Sequence, residues 1–445
     1  MSWEKVKISD FLNARNEKFN PNDKAISGLK RIDKIDFSGN IYLSDKISNT
    51  DMILVKKGDL VISGINVAKG AMAVYQGDND VLATIHYSSY EFDNNKIDVE
   101  FLKLFLKSSE FIKALKEQVQ GGIKTEIKPK HLLSLIVKLP TTLAEQKNIV
   151  KKLDSQLFHV DKITFEQLKQ LDLINKLRQQ ILNDAIQGKL TIKWREQNQS
   201  IESANELLKH IRTEKEQLIK EKKTKMDKMS LPISKKDIPF ELPVGWIWCR
   251  LGDLLSFGPV NGYSPKASKK ENGVKCLTLT ATTSGIFKEN YYKIVDVNIP
   301  SDSYLWLVKN DILLQRGNSI DYVGIATLYE GEPLKFIFPD LMIKIQVSKC
   351  LSSKYIQQVL ISPFNRKYYS SKASGTQKSM PKINQGIILN TLIPLPSLIE
   401  QQAIVSKLET LLEKCNKLQE EIEKMNKNSK ELLRALFNET FGNYS

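Results

Sequence analysis

The stretch LPTTLAEQKNIVKKL, Leu139–Leu153, returns about 255 residues later as LPSLIEQQAIVSKL, Leu395–Leu408. Each copy sets a hydroxyl three residues ahead of a glutamate, Thr142 before Glu145 and Ser397 before Glu400. That spacing fits a capping box, in which two side chains satisfy each other's orphan N–H groups at a helix start. Pro140 and Pro396 lie just ahead and favour an extended approach. Stepping by four and three from Ile404 meets Leu408, Leu411, Cys415, Leu418, Ile422, Met425, Ser429, Leu432 and Leu436, apolar at nine of ten positions. The same steps from Ile149 meet Leu153, Gln156, Val160, Ile163, Gln167, Gln170, Ile174, Leu177 and Ile181, apolar at seven of ten. A heptad seam held for about five repeats without proline or glycine predicts two coiled-coil helices. Each is roughly 40 residues, or about 60 Å, long. Shared caps, length and register point to a tandem duplication.

The segments ahead of the helices echo each other too. SWEKVKISDF (Ser2–Phe11) aligns with GWIWCRLGDL (Gly245–Leu254), pairing Trp3 with Trp246 and Asp10 with Asp253. KKGDLVIS (Lys56–Ser63) parallels VKNDILLQ (Val308–Gln315), and GGIKTEIKPK (Gly121–Lys130) parallels SGTQKSMPK (Ser374–Lys382). Short β-branched runs between turn residues predict mixed, strand-rich domains. SANELLKHIRTEKEQLIKEKK (Ser203–Lys223) reads as a further amphipathic helix, and the lysine- and proline-rich Lys222–Pro243 as a linker. The expected order is a domain over 1–142, a long helix over 143–190, a short helix and linker over 191–240, a second domain over 241–396 and a second long helix over 397–445. The fold class is therefore α+β, with two strand-rich domains and two long helices.

The chain has 445 residues, 41% apolar and 26% charged, which suits a folded protein of several domains. Its apolar runs, such as LLSLIV (Leu132–Val137), fall far short of a membrane span, and MSWEKVKISD lacks the apolar core of a signal peptide. Four scattered cysteines, with no C-x-x-C pair, predict reduced thiols and a cytoplasmic setting. The net charge of +15 favours a polyanionic partner, nucleic acid before membrane. The excess is largest in the second domain, where residues 231–396 carry 20 Lys and Arg against 12 Asp and Glu. No phosphate-binding G-x-x-x-x-G-K-[ST] loop, no G-x-G-x-x-G and no Pro-Pro dipeptide of an amino-methyltransferase loop occurs. The four histidines, His86, His131, His159 and His210, begin no metal or triad motif. These absences predict a binding protein rather than an enzyme, with no metal and no catalytic residue.

Two dissimilar globular stretches, each ending in LP and an L-x-E-Q-x-x-I-V-x-K-L helix start, resemble the specificity subunit of type I restriction-modification systems. The residues that carry the resemblance are Leu143, Glu145, Gln146, Ile149, Val150 and Leu153, then Leu398, Glu400, Gln401, Ile404, Val405 and Leu408. LRQQILNDAIQGKLT (Leu177–Thr191) and LPVGWIWCRLGDL, ending at Leu254, resemble further family segments. The resemblance implies that each domain reads one half of a bipartite site in double-stranded DNA, and that the helices pack antiparallel as a spacer. It implies two methyltransferase subunits and two translocase-nuclease subunits as partners, in a prokaryotic cytoplasm. S-adenosylmethionine, ATP and Mg would be held by those partners, with no cofactor on this chain. A pseudo-twofold pair would suit half-sites about one helical turn, roughly 34 Å, apart. Gln156, Gln167 and Gln170 in the seam would fix register. Val150, Leu157, Val405 and Leu412 widen the apolar stripe and are expected to pack on a recognition domain or a partner helix.

Phosphate contacts call for lysine, arginine and small polar groups, and base reading for side chains that form paired hydrogen bonds. In the first domain the candidates are Ser63, Asn66, Lys69, Lys124, Lys128 and Lys130. In the second they are Asn261, Tyr263, Lys266, Gln315, Arg316, Asn318, Gln377, Lys378 and Lys382. Arginine makes up only 9 of 66 basic residues, so Arg316, in the polar stretch QRGNS, is the first choice for reading a guanine. Two other classes stay open: a coiled-coil scaffold that binds nucleic acid without sequence preference, and a restriction or modification enzyme whose site has no linear motif.

Overall fold

The computed structural model describes residues 2–46, 48–119, 126–198, 203–221, 232–269, 272–374 and 381–442. It divides into two compact units, Met1–Lys169 with Ile422–Ser445, and Gln170–Glu421. The division cuts through the first long helix, Leu143–Ile186, and the second, Leu398–Gly442. Each unit thus holds one globular domain and part of both helices.

In the first unit, strand Trp3–Lys7 runs antiparallel to Ile136–Pro140, with Trp3 opposite Pro140. A four-stranded sheet follows the order Leu12–Ala14, Tyr87–Phe92, Leu60–Ser63, Met72–Val74. A five-stranded sheet follows the order Lys18–Phe19, Met52–Val55, Val81–Thr84, Arg31–Ile35, Ile41–Ser44. The four-stranded sheet, helix Val99–Phe105 and helix Ser109–Gln118 share one core with Ile149 and Leu153 from the start of the first long helix and Phe441 from the end of the second. The Phe441 ring lies 5.8 Å from those of Phe101 and Phe105. Burying a side chain of that size contributes about 2–3 kcal/mol. Start therefore meets end, as antiparallel helices require.

The second unit repeats the plan. Ile247–Arg250 pairs with Leu392–Leu395, and a four-stranded sheet follows Leu255–Asn261, Met342–Val347, Ile312–Gln315, Ala326–Leu328. A three-stranded sheet, Tyr292–Val295, Val274–Leu277 and Phe336–Ile337, stands in place of the five-stranded one. Arg178 donates to Asn416 and Gln419, both at 2.7 Å, while Arg195, 17 residues later, reaches back to Glu400 at 2.5 Å. The two helices are antiparallel here as well.

The duplication extends to single hydrogen bonds. Asp59 accepts from the Lys56 N–H at 3.0 Å, and Asp311 from the Val308 N–H at 2.9 Å. The left-handed residue in this turn is Gly58 (φ 89°) in one domain and Asn310 (φ 74°) in the other, the two residue types that tolerate that conformation best. Ile8 donates to the Leu135 carbonyl and Leu251 to that of Thr391. One sequence parallel is out of register. Ile127 donates to the Gly64 carbonyl at 2.8 Å and Ile383 to that of Arg316 at 2.9 Å, and the helices that follow start at Pro129 and Gln385. The equivalent of Lys130 is thus Gly386, not Lys382, because backbone pairing fixes this register and a shared Pro-Lys does not.

The seam is narrower than the heptads predict. In the first helix Ile149, Leu153, Val160, Gln167, Ile174 and Ile181 are buried, one residue per heptad after Leu153. In the second the column is Ile404, Leu408, Cys415 and Ile422. The alternate positions Ile163, Leu177, Leu418, Met425 and Leu432 are exposed, and Leu411 and Leu436 are half-buried. The two helices bury this column from Leu153 to Ile181 and from Leu408 to Ile422, leave it half-buried at Ser429 and Leu436, and leave the flanking column at the rim. Gln156 is half-buried and Gln170 exposed, which leaves Gln167 as the one buried glutamine of the three. Val150 and Leu157 pack on the first domain's core. Val405 is buried, and Leu412 half-buried. Both helix starts form the hydroxyl half of the capping box, Glu145 N–H to Thr142 and Glu400 N–H to Ser397. Glu400's carboxylate is engaged elsewhere, accepting from Thr191, Arg195 and the Trp246 indole.

Candidate nucleic-acid interface

In each unit the candidate residues that come together do so at one end of the four-stranded sheet. In the second unit Gln315 stands opposite Met342, and Asn261 opposite Ile343, so three neighbouring strands finish at one level. Arg316 extends this end, its N–H donating to the Leu341 carbonyl at 2.7 Å. Lys382 forms a bridge to Gly317, and its stem passes so close that a Cβ on Gly317 would lie 3.1 Å from it. Arg316, Lys382 and Asn261 are thereby gathered, and Gln385, at the start of the next helix, donates to the Asn261 side chain at 3.3 Å. Tyr263 is exposed and is tied to Phe338 by its N–H, with neighbouring Ser264 bonded to Asp340. Lys266 is exposed beside the three-stranded sheet, where Ala267 bridges Val295.

The guanidinium of Arg316 makes no hydrogen bond or ion pair among the described residues. Arg15, Arg178, Arg195, Arg250 and Arg366 are all engaged internally. Gln315 differs from its expected role. It is fully buried, donates to Leu279, Thr282 and Thr283 at 3.0–3.1 Å, and accepts from Asn318 at 2.7 Å. The strand's alternation points it inward, so it anchors the loop and presents nothing to a ligand. Asn318 is likewise occupied, through Gln315 and its own neighbour's N–H. Lys344 is not an available cation either. It lies in the core, 3.4 Å from buried Asp311, and burial pushes its ammonium below, and the Asp311 carboxyl above, their ordinary ranges.

In the first unit, Ser63 ends its strand opposite Tyr87, and the Gly64 N–H donates to the His86 carbonyl. A Cβ on Gly64 would lie 2.7 Å from the Ile127 carbonyl, so the approach of the Lys128 segment requires glycine here. Ser63 itself is buried, with its N–H on the Ala71 carbonyl. Asn66 holds the loop by accepting the N–H groups of Lys69 and Ala71 on its carbonyl. Lys69 is exposed, its ammonium 5.7 Å from the Phe37 ring, and Lys128 and Lys130 are exposed around the start of the short helix. Lys124, Gln377 and Lys378 lie outside the described residues. Ile65, Ile320 and Tyr322, exposed on these loops, and Gln385 are not marked by any sequence pattern. An apolar residue in a loop carries no sign of which way it faces, so only the structure finds the first two. No cluster of metal-ligating side chains occurs among the described residues. Among the described residues no helix is long and apolar enough to cross a membrane.

The family described as type I restriction modification DNA specificity domain matches residues 1–183 and again 243–425. The chain is 32% identical over 268 residues to the EcoEI specificity subunit of Escherichia coli, covering 59% of this chain and 44% of that protein. It is 24% identical to the MjaVIII specificity subunit of Methanocaldococcus jannaschii, over 97% of this chain and 92% of that one. In the first two such relatives, the match spans only about two-fifths of their length, 44% and 41%. Among solved structures, a chain from a study of complex assembly and conformational transition in a type I R-M system superposes with TM-score 0.69 at 16% identity, covering 99% of this chain and 97% of that one. The HsdS subunit of Thermoanaerobacter tengcongensis gives 0.50 at 16% identity, over 100% and 97%. At such identities these two show the fold alone.

Proposed function

Because the chain belongs to the type I restriction modification DNA specificity family, we propose that it is the non-catalytic reading subunit of a type I restriction-modification complex. Each recognition domain takes one half of a bipartite site in double-stranded DNA, and the helices carry the non-specific gap. The observation that supports this reading best is the pair of equivalent sheet ends. One backbone frame, marked by Ile127 on Gly64 and Ile383 on Arg316, presents two different sets of side chains. A shared frame with unlike loops suits two readers of unlike sequence. Phosphates are held by Lys69, Lys128, Lys130 and Lys382, and Arg316 reads a base.

Methyltransferase and translocase-nuclease subunits, two of each, supply the chemistry, with S-adenosylmethionine, ATP and Mg bound on them in the cytoplasm. The first long helix supports a docking role. Phe158 and Phe165, one heptad apart, are each 66% exposed on the face opposite the Val160 column, and Leu168 is exposed beside them. An apolar stripe of that size on a long helix suits a partner helix.

Methylome mapping of cells carrying this chain and its methyltransferase tests the reading. A split, asymmetric motif is expected. With Arg316→Ala, one base pair of one half-site becomes degenerate, at a cost of about 1–3 kcal/mol. A loss spread evenly over all sequences would mark Arg316 as a phosphate contact. Equal affinity for random and site-bearing DNA would show a non-specific scaffold instead.

A further inference from the structure

Two equivalent loops carry an unexplained feature. The loop after strand Leu60–Ser63 runs to Gly70, and the loop after Ile312–Gln315 runs to Gly324, both closing on a left-handed glycine (φ 97° and 77°). Each projects one isoleucine into solvent, Ile65 at 56% and Ile320 at 47% exposure. A single exposed aliphatic is ordinary on a protein surface. Here it occurs twice, in the same loop of both copies, at the sheet end where the basic residues gather. Lys128 follows Ile127, which is bonded to Gly64, and Lys382 precedes Ile383, which is bonded to Arg316. Of the nearby acids, Glu126 is paired with His86 at 3.2 Å, and Asp321 is the one carboxylate of the second loop. An apolar loop tip at a sheet end that also carries Lys69 and Lys128, or Arg316 and Lys382, fits a ligand whose backbone is anionic and whose interior edge carries methyl groups. In the DNA major groove that edge is the thymine 5-methyl, the one aliphatic group among the base edges. Isoleucine is stiff at χ1, so holding it against a base loses little rotamer freedom.

We propose that Ile65 and Ile320 are specificity-determining contacts, each packing on a thymine methyl in its domain's half-site. This rests on the reading of the chain as a DNA specificity subunit. The test uses the full chain in complex with its methyltransferase partner. Duplexes bearing the mapped site are compared with duplexes in which single thymines are replaced by deoxyuridine, which lacks only the methyl. The wild-type complex is expected to lose about tenfold in affinity at one thymine of each half-site. Ile320→Ala is expected to lose similarly on the natural site and to become indifferent to that replacement in its own half-site alone. Ile65→Ala does the same in the other half. Both side chains are exposed, so the variants retain the wild-type circular dichroism and melting temperature. A wild-type complex that binds selectively but ignores every deoxyuridine overturns this inference and leaves the specificity reading standing. Variants that keep full deoxyuridine sensitivity, or lose affinity evenly on all sequences, overturn it too. A wild-type complex with no sequence preference overturns both.

Discussion

Gln401 is wholly buried, and its amide joins three parts of the second unit. It donates to the Pro396 carbonyl at 3.0 Å and accepts at 3.0 Å from the N–H of Ser352, the residue that caps helix Ser353–Ile361. Gln146 does the same in the first unit, between the Pro140 carbonyl and the N–H of Asp98, which caps Val99–Phe105. The glutamine of the Glu-Gln pair therefore fastens each long helix to its recognition domain. Gln401→Ala leaves a buried carbonyl and N–H unpaired, and each costs about 1–3 kcal/mol. Urea unfolding is expected to show a loss of about 2–6 kcal/mol, with Gln401→Met, which keeps the volume but makes neither hydrogen bond, losing as much. Wild-type stability in the alanine variant would show that the clamp contributes nothing. The glutamine's place in the repeat is readable from sequence, but its work is not, since its second partner lies 49 residues away. Arg316 stood out by scarcity and lies uncommitted. Adjacent Gln315 looked equally suitable and faces inward, because strand register decides orientation and composition does not.

At the scale of elements, the two long helices were the most legible feature, since period and caps are local. Which apolar column is buried was not, because that depends on how much partner surface covers it. Gln167 shows the consequence. It occupies the buried column with 2% exposure, and neither end of its amide has a hydrogen-bond partner among the described residues. A polar group in that state opposes stability by about 1–3 kcal/mol and disfavours pairings that would bury it elsewhere. Gln167→Leu is therefore expected to raise the melting temperature while weakening the preference for one register. Thermal unfolding reads the first effect, and cysteine cross-linking across the helix pair reads the second. A lower melting temperature would mean that the leucine is not accommodated in the seam. The sheets were foreseen only as strand-rich domains. That a five-stranded sheet in one copy answers to a three-stranded sheet in the other depends on long-range pairing that no local pattern encodes.

At the scale of the whole molecule, the net charge of +15 and the duplication bear on the same question. If each unit reads its own half-site, the lysines at the two sheet ends act on separate phosphates and share no partner. Each phosphate contact releases counterions and adds about 0.9 to the slope of log affinity against log salt on duplex DNA. Lys128→Ala and Lys382→Ala are each expected to reduce that slope by about 0.9 and to weaken all sequences alike. The double variant should reduce it by about twice as much. Its free-energy loss should equal the two single losses to within about 0.5 kcal/mol, as for substitutions without common neighbours. Salt titrations of the four proteins on one duplex measure both quantities. A double variant no weaker than either single one would mean that both lysines grip the same phosphate. Independent readers could not produce that result, because the two lysines belong to different units and each is held by the loop of its own sheet. Additivity here, with a single degenerate half-site from Arg316→Ala, would separate a two-part reader from a basic surface that binds DNA at large.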